Sequence, residues 1–194
     1  GGVDSALLAA TAHETLGDMA LAVSGLLVSQ LGGPSVRPPQ PTEYSGLTYA
    51  NSAKWKVSQG GDAYRRGLYT FFQRTSPYPM LITFDSPDST ECCAERVLSN
   101  TPLQALTLWN DPAFFECAQG LGRRILAESA EFGADDAGLR RRAILAFQLC
   151  FARQPSEEEL SDIVDLYRDQ FRLLNEEPPA AKLVVGKTKL PVNA

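Results

Sequence analysis

Histidine is almost missing from this 194-residue chain, which has only His13. One histidine excludes a His-rich metal site and leaves His13 as the only possible base of a conventional catalytic triad. His13 lies on a predicted amphipathic helix, so we expect it to have no catalytic role. Cysteine is also scarce, and none of the four forms a CxxC or CxxCH pattern, which excludes zinc ribbons and covalent haem attachment. The sequence therefore predicts no metal and no cofactor.

The chain also lacks a long apolar run and a strong net charge. No stretch reaches the roughly 20 apolar residues that cross a bilayer, so we expect no direct membrane insertion. The net charge is −5 and the pI is about 5.0, which argues against a nucleic-acid partner. The first residues have no basic segment of the kind that opens a signal peptide, and the chain does not begin with methionine. We therefore expect a piece of a longer, multidomain chain.

The cysteines leave the redox state open. Cys117 and Cys150 fall inside helical patterns and are predicted to be buried as small hydrophobes. Cys92 and Cys93 are adjacent and would rarely pair with each other, but either could bridge elsewhere. Such a bridge would imply an exported protein.

Helical periodicity dominates the rest of the sequence and predicts a mainly α fold of several packed helices with irregular topology. Apolar residues recur at three- and four-residue spacing over residues 5–31, 63–77, 136–152 and 157–175. Gly32 or Gly33 would cap the first helix in the left-handed conformation. Ser156 and Glu159 form a capping box before the last helix. We expect one helical domain over residues 1–194.

Two segments interrupt the helical pattern. Residues 34–61 are rich in Pro, Gly and Ser, yet also contain Tyr44, Tyr49 and Trp55. That composition predicts a long ordered loop whose aromatic residues anchor it to a neighbouring surface, or else stack on a sugar. Residues 80–84 are apolar and precede the turn signal Asp-Ser-Pro, which predicts a short extended segment.

Two Xaa-Pro pairs, Thr101-Pro102 and Asp111-Pro112, predict a broken helix. Proline is favoured at the first helical position, and Thr or Asp is favoured just before it. The residue before a proline avoids the helical region, which forces the first helix to stop. We therefore expect one helix over 102–109, a corner at Asn110, and a second helix over 112–128.

These segments together resemble a known family. The strings "YRRGLYTFFQRTSPYPMLITFDSPDSTECC", "SNTPLQALTLWNDPAFFECAQGLGRRIL" and "AFQLCFARQPSEEEL" resemble the C-terminal domain of unknown function (number fifteen-fifty-three) found in large planctomycete proteins. The resemblance implies an exported protein, periplasmic or on the cell surface. Its relatives often carry a second domain of unknown function, and some carry a cytochrome-c-like domain or a carbohydrate-binding sandwich. The resemblance transfers no catalytic residue. The chain departs from the family pattern at Glu95-Arg96, where paired arginines are common, and at Ser99.

The candidate site is a cluster of polar residues around the predicted turn and broken helix. Its members are Arg65, Arg66, Arg74, Asp85, Asp88, Glu91, Arg96, Asn100, Gln104 and Asn110. One interpretation is a cleft that binds a sugar or an anion, with Asp85 and Glu91 as weak candidates for an acid/base pair. The other interpretation is structural: the arginines pair with Asp85, Asp88 and Asp111, and the amides satisfy backbone groups at the corner.

The sequence is compatible with three functions. The sequence favours a non-catalytic structural or interaction module, whose partners are neighbouring domains of the same full-length chain. The first alternative is a polysaccharide-binding or polysaccharide-degrading domain with a cleft around Asp85, Arg96 and Gln104. The second is a docking surface for a cytochrome-c-like domain.

Overall fold

The computed structural model describes residues 17–41, 55–73, 76–86 and 99–186. These residues are mainly helical and contain no sheet, which confirms the predicted fold class. The chain divides into two compact units, residues 1–117 with 191–194 and residues 118–190. No helix among the described residues is long and apolar enough to cross a membrane.

The first helix ends earlier than predicted. In its described part, helix α1 covers residues 17–24 and stops at Gly25, whose φ is 77°. The Gly25 N–H bonds the Ala22 carbonyl at 3.2 Å, and the Leu26 N–H bonds the Leu21 carbonyl at 2.9 Å. This pair of bonds is a Schellman motif, with Gly25 in the left-handed position. The prediction of a helix to residue 31 was wrong because Leu26 and Leu27 continue the apolar spacing beyond the cap.

Residues 63–73 and 76–77, the described part of the predicted helix over 63–77, do not form an α-helix. The chain makes two short 3₁₀ turns, Gly60–Tyr64 and Gly67–Tyr69. Between and after them it forms isolated parallel bridges, Val28 to Arg65 and Val36 to Thr70. Tertiary pairing with residues 28 and 36 thus overrides the local helical pattern.

The apolar residues after this segment form a helix instead of the predicted extended run. Helix α2 covers Pro79–Thr83, with a proline in its first turn. Asp85 then adopts φ 58°, which makes the turn that the sequence predicted. Buried Tyr78, Met80 and Leu81 form a hydrophobic core cluster in the first unit. Partly buried side chains pack against them: Trp55, Phe72, Phe84, Ala113 and Phe114.

The broken helix is confirmed. Helix α3 covers Pro102–Asn110 and helix α4 covers Pro112–Glu128. Thr101 caps α3 in a reciprocal capping box with Gln104. The corner lies at Asp111, one residue later than predicted, where an Asp111 oxygen accepts the Ala113 N–H at 2.8 Å.

The second unit contains helices α5 (Asp136–Phe151), α6 (Glu157–Glu176) and α7 (Pro178–Val185). The Ser156–Glu159 capping box forms as predicted, and Ala143, Leu160 and Val164 make the core. Cys117 is buried as predicted, but the prediction for Cys150 was wrong because its side chain is exposed. Cys150 lies on nearly the same side of α5 as the buried Ala143, but in the last turn of the helix, where Phe151 is also 63% exposed.

Candidate functional site

The polar cluster centres on Asp85, Ser99 and Gln104 in the first unit. Asp85 carboxylate oxygens accept the Ser99 backbone N–H at 2.8 Å and the Ser99 hydroxyl at 2.7–2.8 Å. Gln104 is only 8% exposed. Its Nε2 donates to an Asp85 oxygen at 3.1 Å, to the Ser99 hydroxyl oxygen at 3.1 Å and to the Thr83 carbonyl at 3.0 Å. The cluster therefore ties the end of α2 to the start of α3.

Gln104 is the residue that joins these elements. Its Oε1 accepts the Thr101 N–H at 3.0 Å, and its own N–H bonds the Thr101 hydroxyl at 3.3 Å. The buried Gln104 amide thus bonds the Thr83 carbonyl at the end of α2, the Thr101 N–H at the start of α3 and the Asp85 carboxylate. Asn110 acts more locally, since its Nδ2 donates to the Leu106 carbonyl at 2.8 Å. Both amides serve the backbone, as the structural interpretation predicted.

Ser99 completes the cluster and was not among the predicted site residues. It lies two residues before the Thr101 cap, in the polar stretch Ser-Asn-Thr that is typical of a loop between helices. That position was the only sequence signal for it. Asn100 is exposed beside it. Arg74, Asp88, Glu91 and Arg96 lie outside the described residues.

Arg65 binds backbone carbonyls instead of the carboxylates that the sequence suggested. Its side chain donates to the carbonyls of Gln30 at 3.1 Å, Pro34 at 3.4 Å and Gly32. The guanidinium carbon lies 3.8 Å from the centre of the Tyr69 ring. Arg65 is only 2% exposed, and its hydrogen bonds fix residues 30–34, which follow α1.

Arg66 faces Asp18 of α1, with Nε 3.7 Å from a carboxylate oxygen. The other Asp18 oxygen accepts the Gly67 N–H at 2.8 Å. Burial raises the pKa of Asp18, and the Gly67 bond only partly offsets this. The bonds of Arg65 and Arg66 described above run to residues 18 and 30–34, whereas those of Gln104 run to Thr83, Asp85, Ser99 and Thr101.

Burial raises the pKa of two described carboxylates of the first unit, Asp18 and Asp111. Burial raises the pKa of Asp111, although the Ala113 N–H opposes the shift. Each of these two carboxylates is partly buried and accepts a backbone N–H, from Gly67 or Ala113. The raised pKa values therefore follow from structural roles and do not indicate a catalytic acid. Burial also raises the pKa of the Cys117 thiol to about 11, which keeps it protonated and unreactive at neutral pH.

A small cavity of about 40 Å³ lies in the first unit and is lined mostly by apolar atoms. Cys117, Tyr78, Pro38 and Phe114 are among its lining residues. Glu116 also lines it, and accepts a hydrogen bond from the Tyr64 hydroxyl at 3.2 Å. This volume holds a water molecule or two but not a sugar ring. Among the described residues, no His, Cys, Asp and Glu side chains group as metal ligands.

Among the described residues of the first unit, an exposed apolar face lies on α3. The helix has no charged residue, and Leu103, Leu106 and Trp109 are 62%, 58% and 84% exposed. An apolar helix face of this kind is typical of an interaction surface. We call Leu103, Leu106 and Trp109 the α3 face.

The profile of the PSD1 family, Protein of unknown function (DUF1553), matches residues 9–167. No curated protein and no solved structure matches the chain. The matched region includes the whole Asp85–Ser99–Gln104 cluster and the broken helix. This chain is therefore a member of the DUF1553 family, whose biochemical role is not established.

Proposed function

We propose that this chain is a non-catalytic interaction module of an exported multidomain protein. In this proposal the α3 face contacts a neighbouring domain of the same full-length chain. Export, to the periplasm or the cell surface, rests on the family resemblance alone. Fractionation of cells expressing the full-length protein tests it, and recovery of all the protein in the cytoplasm would refute it.

The exposure of the α3 face is the observation that supports the docking surface. Burying a Leu or Trp side chain stabilises a complex by about 1.5–3 kcal/mol, so the three residues offer roughly 6 kcal/mol before ordering costs. A neighbouring domain on the same chain has a high effective concentration, which lowers the affinity that docking requires. A face of this size is therefore sufficient for docking between linked domains.

The bonding of Asp85 argues against the polysaccharide-degrading alternative. A general acid or base must reach the proton that it transfers. Ser99 and Gln104 occupy the Asp85 oxygens, and Asp85 lies in a left-handed turn that these bonds hold. This arrangement supports a role for the carboxylate as a joint between α2 and α3.

Substitution on the α3 face tests the proposal. Trp109→Ser should leave the melting temperature of the isolated chain unchanged, because the Trp109 side chain is 84% exposed there and buries little surface. In the full-length protein the same change should increase protease cleavage between this chain and its neighbouring domains. Leu31→Ser is the matched control, because Leu31 is 77% exposed in the same unit but lies outside the α3 face. Equal cleavage of the wild-type, Trp109→Ser and Leu31→Ser proteins would refute the docking role.

A further inference from the structure

Residues 36–39, Val-Arg-Pro-Pro, are held in the way that a bound peptide is held. We call them the proline segment. The Val36 N–H bonds the Tyr69 carbonyl at 2.7 Å, and the Val36 carbonyl accepts the Phe71 N–H at 2.7 Å. The Arg37 N–H bonds the Ser58 hydroxyl at 2.9 Å, and the Arg37 carbonyl accepts the Ser58 N–H at 2.9 Å. The first half of the segment is therefore paired like an added strand.

The two prolines are recognised by different chemistry. Since proline has no N–H, only its carbonyl needs a partner. The Trp55 indole N–H donates to the Pro38 carbonyl at 2.8 Å, and the Tyr78 hydroxyl donates to the Pro39 carbonyl at 2.8 Å. Every backbone polar group of the proline segment thus has a partner. Aromatic residues that donate to the carbonyls of a proline-rich segment are a known mode of peptide recognition.

Arg37 adds a side-chain preference. Its guanidinium carbon lies 4.2 Å from the centre of the Phe71 ring and 6.0 Å from that of Trp55. Both distances are within the range of a cation–π contact. The Trp55 ring is in turn stacked on Tyr78, with centroids 5.6 Å apart. The aromatic surface therefore favours an arginine immediately before two prolines.

We propose that this surface is a recognition site for extended Arg-Pro-Pro segments, filled here by the chain's own residues 36–39. Its residues are Trp55, Ser58, Tyr69, Phe71 and Tyr78, which we call the receptor surface. The site accepts the same motif from a partner protein when its own segment is weakened. It shares no residue with the α3 face and does not depend on the function proposed above.

The proline segment is covalently linked, so it competes with any added peptide at a high effective concentration. A test must therefore weaken the internal ligand first. The double variant Arg37→Ala, Pro38→Gly removes the guanidinium contact and the fixed backbone of one proline, and it leaves the receptor surface intact. The probe is a fluorescent peptide of residues 34–41, PSVRPPQP, and the control peptide has alanine in place of its arginine.

Fluorescence anisotropy should show that the probe binds the double variant at least tenfold more tightly than it binds the wild-type chain. The control peptide should bind the double variant at least tenfold more weakly than the probe. Adding Trp55→Phe, which removes the indole N–H, should weaken probe binding again. The proposal fails if the folded variant binds neither peptide or binds both equally. It also fails if the variant loses its helical circular dichroism, because the segment would then be an inseparable part of the core.

Discussion

Gln104 should be the most stability-critical polar residue of the α2–α3 joint, and Gln104→Ala tests this directly. The substitution removes the acceptor for the Thr101 N–H and the donor to the Thr83 carbonyl. It also removes one of the donors to the Asp85 carboxylate. The side chain is nearly buried, so water replaces these bonds only in part.

The expected magnitude follows from these contacts. Loss of the capping interaction costs about 1 kcal/mol. The neutral bond to Thr83 contributes about 1 kcal/mol, and the bond to a charged carboxylate about 1.5–3 kcal/mol. Alanine recovers about 0.5 kcal/mol through its higher helix propensity. These contributions sum to about 3–4.5 kcal/mol. Because water replaces part of the lost bonding, we expect the free energy of unfolding of the first unit to fall by about 3 kcal/mol.

Urea denaturation followed by far-ultraviolet circular dichroism measures this loss. With a slope of about 2 kcal/mol per molar urea, the unfolding midpoint should fall by about 1.5 M. Asn110→Ala is the control, since that amide is exposed on the same helix and donates to the Leu106 carbonyl within α3. The control should change the unfolding free energy by less than about 0.5 kcal/mol. If both variants lose the same stability, or neither loses any, the role assigned to Gln104 is wrong.

Three further predictions concern caps and close contacts. Gly138→Ala should destabilise the second unit by about 1–3 kcal/mol in thermal unfolding, because a Cβ there would lie 1.8 Å from the Gly133 carbonyl oxygen. The Arg153 hydrogen bond lowers the pKa of Glu159 from 4.5 to about 2. The stability that this carboxylate contributes is present above pH 4.5 and is lost as pH falls toward 2, so the melting-temperature gap between wild type and Glu159→Gln should narrow over that window. Burial raises the pKa of Asp111 above its ordinary 3.8, so its charged form costs stability as pH rises through the raised value. The stability of Asp111→Asn relative to wild type, measured by urea unfolding, should therefore increase as pH rises above 3.8.

Each of these predictions has an outcome that contradicts it. An unchanged melting temperature for Gly138→Ala would mean that the α5 start can shift away from Gly133 at no cost. A gap between wild type and Glu159→Gln that is constant with pH would show that the carboxylate charge contributes nothing. An Asp111→Asn variant whose stability relative to wild type falls as pH rises above 3.8 would show that the charge at the α4 cap outweighs its desolvation.

The sequence predicted the parts of the fold that local chemistry decides. The α3–α4 break was predicted to within one residue because two prolines and two capping residues fix it. The capping box at Ser156 was predicted for the same reason. These signals lie within a few residues of the structure that they determine.

The sequence failed where distant residues decide the conformation. Residues 63–77 have helical spacing, yet Arg65 and Thr70 pair with residues 28 and 36. The role of Arg65 could not be predicted because its acceptors are backbone carbonyls, which every sequence position carries. The prediction extended helix α1 too far, because Leu26 and Leu27 fit the apolar helical spacing beyond Gly25, where the helix ends.

The candidate site was predicted only in part. The turn at Asp85 and the structural use of Gln104 and Asn110 follow from residue type and position. The contact of Asp85 with Ser99 could not be predicted, because it depends on how α2 and α3 pack. The proline segment shows the same limit, since its composition predicted an ordered loop but could not identify Trp55 and Tyr78 as its hydrogen-bond donors.

Hydroxyl-radical footprinting of Trp109 tests the central claim most directly. The isolated chain and the full-length protein would be labelled under the same conditions, and Trp109 oxidation measured by mass spectrometry relative to Leu31. The interaction-module account predicts strong labelling of Trp109 in the isolated chain and several-fold weaker labelling in the full-length protein. Equal labelling of Trp109 in both proteins would contradict it.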